Sequence, residues 1–151
     1  MFMNILQKKV FFILRVLLGW VFLYAGLAKL LMPGWSAAGL LNAAKTFPGL
    51  YAWFATPGIL PIVNFLNAWG LTLLGVSLIL GLFVRWSAIP GMLLMLLYYF
   101  ADNAFPSVPS GFLVDEHIIY IAALLLLFAF NAGRIWGVDG ILDKTDKNRD
   151  K

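Results

Sequence analysis

Cysteine is missing from all 151 residues, and histidine occurs once, at position 117. The first absence excludes disulfides, thiolate zinc sites, iron–sulfur ligation, covalent haem attachment and thiol redox chemistry within this chain. The second excludes a bis-histidine haem and leaves too sparse a set of His and carboxylate ligands to read as a metal site. A redox cofactor must then be a diffusible, quinone-like molecule, bound without a covalent link, or sit on another subunit. Charge is also scarce: 12% of residues carry it, against 62% that are apolar. A globule of this length has too much surface to be covered by so few polar groups, so the natural solvent of the chain is a lipid bilayer. The net charge of +4 does not signal nucleic acid, because the basic residues flank apolar runs instead of forming a stripe interleaved with aromatics.

What is present is a set of long apolar runs. Val10–Leu31 is apolar except for Arg15 and Lys29 and is long enough to cross a hydrocarbon core. A cleaved signal peptide competes for this stretch, since Lys8 and Lys9 precede it, but Arg15 interrupts what should be an uncharged segment. The pattern predicts further spans at Leu60–Val84, opened by Pro61, at Trp86–Ala101, and at Phe112–Asn131 with Gly133 as a stop. The expected fold is an all-α integral membrane four-helix bundle over residues 1–142. A charged cytoplasmic tail follows over 143–151, and the stretch from Asp139 on lacks an apolar face and is expected to fray. Lys8, Lys9, Arg15, Arg85, Arg134, Lys144, Lys147, Arg149 and Lys151 fall on one side, and Lys29 and Lys45 on the other. That bias predicts cytoplasmic N- and C-termini. The connection from Met32 to Ile59 is rich in bulky residues (Trp35, Phe47, Tyr51, Trp53, Phe54). It reads as an interfacial segment or a lid on the bundle, with Ser36 capping a short helix that runs to Thr46.

Two faces are small or polar. Arg15, Gly19, Phe22, Gly26 and Lys29 follow a 4, 3, 4, 3 spacing that places them together. Snorkelling of the two cations to opposite headgroup layers, with glycines allowing close approach, accounts for them structurally. Asn64, Asn67, Gly70, Leu74, Ser77 and Gly81 form a similar face suited to close helix packing. Asn67 adds the question of what its amide meets at that depth, and a ligand is one candidate.

The strongest chemical feature is Asp115–Glu116–His117 at the start of the fourth helix, with Tyr120 one turn on and Asp102 across the preceding loop. Helix capping accounts for the carboxylates alone. It does not account for His117, whose charged form neighbouring acids favour, making it a candidate proton donor or acceptor. Lys29 ends helix one on the same side. Lys29, Asp102, Asp115, Glu116 and His117, roofed by the loop with Trp35, would make a partly dry ionisable pocket or a salt-bridge network tying the helices together.

The stretches RVLLGWVFLYAGLAKL, GWSAAGLL, WGLTLLGVSLILGLFVRWSAIPGMLLMLLYYF and LVDEHIIYIAALLLLFAFNAGRIWGVDGIL together resemble the DoxX superfamily. The GWSAAG segment is most similar to its DoxD-type branch, the membrane subunit of thiosulfate:quinone oxidoreductase. The resemblance implies a four-helix protein of a prokaryotic plasma (inner) membrane, possible oligomers, and a DoxA-like or other redox partner. The implied activity takes electrons from thiosulfate to the quinone pool. On that reading Lys29, Glu116 and His117 are the catalytic candidates, and Asp102, Asp115, Tyr120, Asn67 and Trp35 the candidates for binding substrate or quinone. A non-enzymatic accessory or scaffold protein is the alternative. A small-solute transporter would fit the intramembrane charge but lacks repeated, broken helices.

Overall fold

The computed structural model describes residues 3–109 and 111–149; Asp150 and Lys151, the end of the expected tail, lie outside them. The main chain is helical: α1 (Ile5–Leu31), α2 (Ala38–Ala43), α3 (Pro48–Phe54), α4 (Leu60–Leu80), α5 (Val84–Asp102), α6 (Glu116–Ala129) and α7 (Val138–Arg149), with a two-stranded hairpin, β1 (Ser107–Val108) and β2 (Gly111–Phe112), between α5 and α6. α1, α4 and α5 are long and apolar enough to cross a membrane.

Local chemistry sets the helix ends. α1 starts five residues before the expected boundary because Asn4 and Gln7 form a reciprocal capping box, Asn4 Oδ1 accepting from Gln7 N (2.8 Å) and Gln7 Oε1 from Asn4 N (2.9 Å). α4 stops at Leu80, short of the expected Val84, where Gly81 takes a left-handed φ of 69° that its missing Cβ permits. The fourth expected helix is the largest departure. Phe112 pairs in the hairpin, and Asp115 caps the helix through the N–H groups of His117 and Ile118. The remaining 14 residues span about 21 Å, short of a hydrocarbon core of about 30 Å. The charged tail, expected to fray, is instead helical over Val138–Arg149. Its Asp139 accepts hydrogen bonds from the N–H groups of Phe83 (2.7 Å) and Val84 (3.3 Å), anchoring the start of α7 to the α4–α5 turn.

The long helices form two pairs, α1 with α4 and α5 with α6. At the first interface a methyl on Gly26 would collide with the Thr72 backbone and one on Gly75 with the Leu23 backbone, so close approach depends on the missing side chains. Leu18, Phe22, Leu71, Leu78, Leu124 and Leu127 join the pairs into one core. Large apolar side chains such as Trp20, Leu17 and Leu73 face outward, which suits lipid and not water.

α4 and α5 touch each other far less than either touches its own partner, although only residues 81–83 separate them. A cleft of about 690 Å³ stands between them. The small and polar stripe on α4 was expected to pack closely; instead Asn67, Gly70, Leu74 and Ser77 line this cleft, and α1 is met by Thr72 and Gly75. The connection after α1 folds down as a lid. The expected helix to Thr46 shortens to α2 and a second one, α3, follows it, and Ala37, Leu41, Ala44 and Tyr51 pack with Ala101 of α5. Asn64 of α4 accepts from Ala37 N (2.9 Å) and donates to Ser36 Oγ (3.3 Å), while Tyr51 OH donates to the Leu97 carbonyl (2.7 Å).

Candidate functional site

Beside the lid, α5 and α6 bring three titratable groups together. His117 Nδ1 lies 2.8 Å from Asp115 Oδ2, and Nε2 lies 3.7 Å from Asp102 Oδ2. The two carboxylates differ sharply: the Asp115 side chain is 5% exposed and that of Asp102 is 44% exposed.

Asp115 is placed by its capping role. Its Oδ1 accepts from the N–H groups of His117 (3.0 Å) and Ile118 (3.3 Å), and its Oδ2 also accepts from Asn103 Nδ2 (2.7 Å). Burial pushes this carboxyl up, but the hydrogen bonds from His117, Asn103 and Ile118 outweigh burial and hold it below the ordinary carboxylate value. An ionised Asp115 takes the proton on Nδ1 as a donor, which leaves Nε2 as the exchangeable nitrogen. The gap from Nε2 to Asp102 is too long for a direct hydrogen bond but keeps the two groups within electrostatic reach of each other. Chemically, this is a histidine oriented by one buried acid and open toward a second acid that meets solvent.

The imidazole stacks on Tyr98, with centroids 5.7 Å apart and planes 10° from parallel. Tyr98 OH donates to Asn67 Oδ1 at 2.8 Å. Asn67 therefore has a protein partner for its oxygen, joining α4 to α5.

Lys29 departs from the expected ion network. Its Nζ approaches the Ala25 carbonyl (3.4 Å) and sits 5.4 Å from the Trp35 ring and 5.9 Å from that of Tyr98. Among the described residues it pairs with no carboxylate, because its side chain folds back along α1 and is held by ring faces. Glu116 is exposed in the first turn of α6 with no ion pair among the described residues. Tyr120 packs edge-on against Phe22 (5.7 Å) inside the bundle. The geometry thus joins Asp102, Asp115 and His117, links Asn67 to them through Tyr98, puts Lys29 near the rings of Trp35 and Tyr98, and leaves Glu116 and Tyr120 apart.

Two members escaped the sequence reading. Tyr98 reads as part of an interfacial aromatic belt, yet it lies four residues before Asp102 and so shares its helix face. Asn103 follows the last apolar turn of α5, where a lone buried amide (3% exposed) signals a partner. No group of three or more residues among the described ones is arranged to hold a metal ion.

Residues 10–103, more than half of the chain, match the DoxX family model. The chain belongs to the DoxX family. The match takes in Lys29, Trp35, Asn67, Tyr98 and Asp102 and ends before the Asp115–His117 run. None of the curated proteins and none of the solved structures matches the chain. This DoxX protein is thus a membrane protein with a lidded cluster of ionisable groups at one end.

Proposed function

We propose that this DoxX protein is the membrane subunit of a quinone-linked oxidoreductase that passes electrons from thiosulfate, or a related sulfur anion, to the quinone pool. In this reading it crosses the plasma membrane four times, α6 included, with both termini cytoplasmic and the His117 cluster facing outward. A redox partner subunit receives the donor's electrons. The observation that carries the reading is His117 held between a buried and a half-exposed carboxylate. Reducing a quinone to its quinol consumes two electrons and two protons, so such a site needs a group that relays protons between solvent and a dry interior. Asp102 meets solvent, His117 exchanges a proton at Nε2, and Asp115 fixes the tautomer. Lys29, a cation without a carboxylate partner among the described residues, supplies attraction for an anionic donor.

One observation favours the accessory reading instead. Each oxygen of Asp115 accepts two hydrogen bonds, and together they tie α5 to α6, as a purely structural clamp would. Thiosulfate-dependent reduction of a ubiquinone or menaquinone analogue separates the two. It is measured in proteoliposomes of the complex purified with its co-purifying chains. The redox reading expects His117→Ala to lower the rate by about 10²-fold with the fold retained. An unchanged rate in His117→Ala or Lys29→Ala removes that residue from the mechanism, and a wild-type complex inactive with every donor leaves the accessory reading. Labelling of single cysteines placed at Gly39 and Asp143 tests the topology, which requires opposite sides.

A further inference from the structure

The cleft between α4 and α5 has a shape and a chemistry that the proton-handling cluster does not use. It extends from Asn67 and Tyr98 under the lid to Ser77 and Ser87 near the α4–α5 turn. Ser77 lies ten positions after Asn67 on α4, about 15 Å along the cleft. Its volume of about 690 Å³ falls in the range of built small-molecule sites. Leu66, Leu73 and Leu93 line it and are themselves largely exposed, so it opens sideways onto the face that meets lipid.

Its polar groups are distributed unequally. At the turn end, Ser77 Oγ bonds the Leu82 carbonyl (2.6 Å) and Ser87 Oγ (2.7 Å), and Ser87 Oγ bonds the Val84 carbonyl (3.2 Å). Both hydroxyls are spent. At the lid end, Asn67 is 8% exposed and lines the cleft. Its Oδ1 is taken by Tyr98 OH, but its Nδ2 donates to nothing among the described residues. A nearly buried amide that lines an apolar cavity with its donor unused is a group waiting for an acceptor.

We infer that this cleft binds one linear amphiphile, with a carbonyl of its head accepting from Asn67 Nδ2 and its apolar tail lying toward Ser77 and Ser87. With their hydrogens already donated, the two hydroxyls have no donor for a carbonyl, whereas Asn67 Nδ2 has, which fixes the orientation of the head. The lateral opening gives entry from the bilayer. A carbonyl head on a long apolar tail is shared by isoprenoid quinones and by the acyl esters of phospholipids. The site stands on the cleft and Asn67; only a quinone as occupant rests on the function proposed above.

Gly70 provides the means of closing the cleft, because it lines the cavity and a Cβ there would meet no atom within 4 Å. Gly70→Leu should fill the space without disturbing the helix interfaces, and Gly70→Ala fills it in part should the larger residue impair folding. Native mass spectrometry of the purified full chain, supplied separately with decylubiquinone and dioleoylphosphatidylglycerol, reads the bound mass. Expected is a single adduct with at least one probe, reduced tenfold or more by Gly70→Leu, less by Gly70→Ala, and about tenfold by Asn67→Leu. Equal binding of both probes in wild type and both Gly70 variants overturns the inference, as do multiple adducts that no variant reduces, the mark of boundary lipid. A Gly70-sensitive phospholipid adduct without a quinone adduct upholds the site and counts against the quinone-linked function. Quinone binding that Gly70→Leu leaves intact overturns the site and spares that function.

Discussion

Arg15 and Lys29, both on α1, lie toward opposite ends of the bundle, and the protein treats the two in opposite ways. Arg15 is fully buried; its Nη1 donates to the carbonyls of Ala132 (2.7 Å) and Ile135 (3.1 Å), and Nη2 to that of Trp136 (3.4 Å). A side chain at Gly81 or Gly137 would strike the guanidinium, so the surrounding turns are shaped around it. The snorkelling expected of Arg15 does not occur, because the chain after α6 folds over it and brings three carbonyls into reach. Lys29 instead lies against aromatic faces with a single long contact to its own helix. A planar fork with five donors suits the first role, and a compact ammonium that can turn to a visitor suits the second. One end of this bundle is locked by a cation, and the other keeps a cation available.

Replacing the same charge at the two ends breaks or sharpens that contrast, and the largest effect belongs to Arg15. Arg15→Met takes the donor from the Ile135 and Trp136 carbonyls and leaves that of Ala132 only its bond from Ile135 N, which should cost roughly 3–5 kcal/mol, read as a large fall in the unfolding midpoint in detergent. Arg15→Lys should recover only part of this, since one ammonium cannot bridge carbonyls spread over residues 132–136. If Arg15→Met melts like wild type, the lock is not a lock.

The next effect belongs to Asp115, which caps α6 and holds Asn103 and His117. Asp115→Asn should cost about 1–3 kcal/mol at neutral pH through weakened charge-assisted bonds. The pH dependence has a definite sign. The folded carboxyl lies below its ordinary value, so its stabilisation is complete above the unfolded value of about 3.9 and is lost as pH falls through the folded one. Melting curves from pH 6 downward should therefore show wild type losing its advantage over Asp115→Asn only in acid. A difference that is constant with pH would mean that Asp115 acts by shape and not by charge.

How much of this was legible in the residues follows from what each signal depends on. The apolar runs of α1, α4 and α5 were readable because span length and hydropathy are local properties. The inward face of Arg15, Gly19, Phe22 and Gly26 was readable from helical spacing, and all four are buried. The start of the fourth helix was misplaced because Phe112 is equally at home in a strand, and only pairing with Ser107 decides. The α4 stripe was assigned to packing because spacing shows which residues share a face and not what that face meets. Topology puts Asp102, Asp115 and His117 at the α5–α6 junction, where the side chains meet, whereas the expected links to Lys29 and Glu116 depend on side-chain directions that spacing does not fix; Tyr98 and Asn103 carry no signal beyond an aromatic and an amide near a helix end.

The smallest expected effect belongs to Lys29, and it bears most directly on what the open end is for. Its visible contacts are cation–π approaches worth about 0.5–1 kcal/mol, so Lys29→Met should shift stability by less than about 1 kcal/mol. Stability loss on replacing Arg15 and Lys29 should thus differ severalfold for the same loss of charge. If Lys29 serves a diffusing anion, the deletion shows elsewhere. KM for thiosulfate should rise about tenfold with kcat little changed, as expected when binding common to ground and transition states is removed. Lys29→Arg should restore most of it, since charge and not reach is what the anion uses. The combination that defeats this assignment is a large stability loss with unchanged KM, for Lys29 would then be a second structural cation and the two ends of the bundle would be alike.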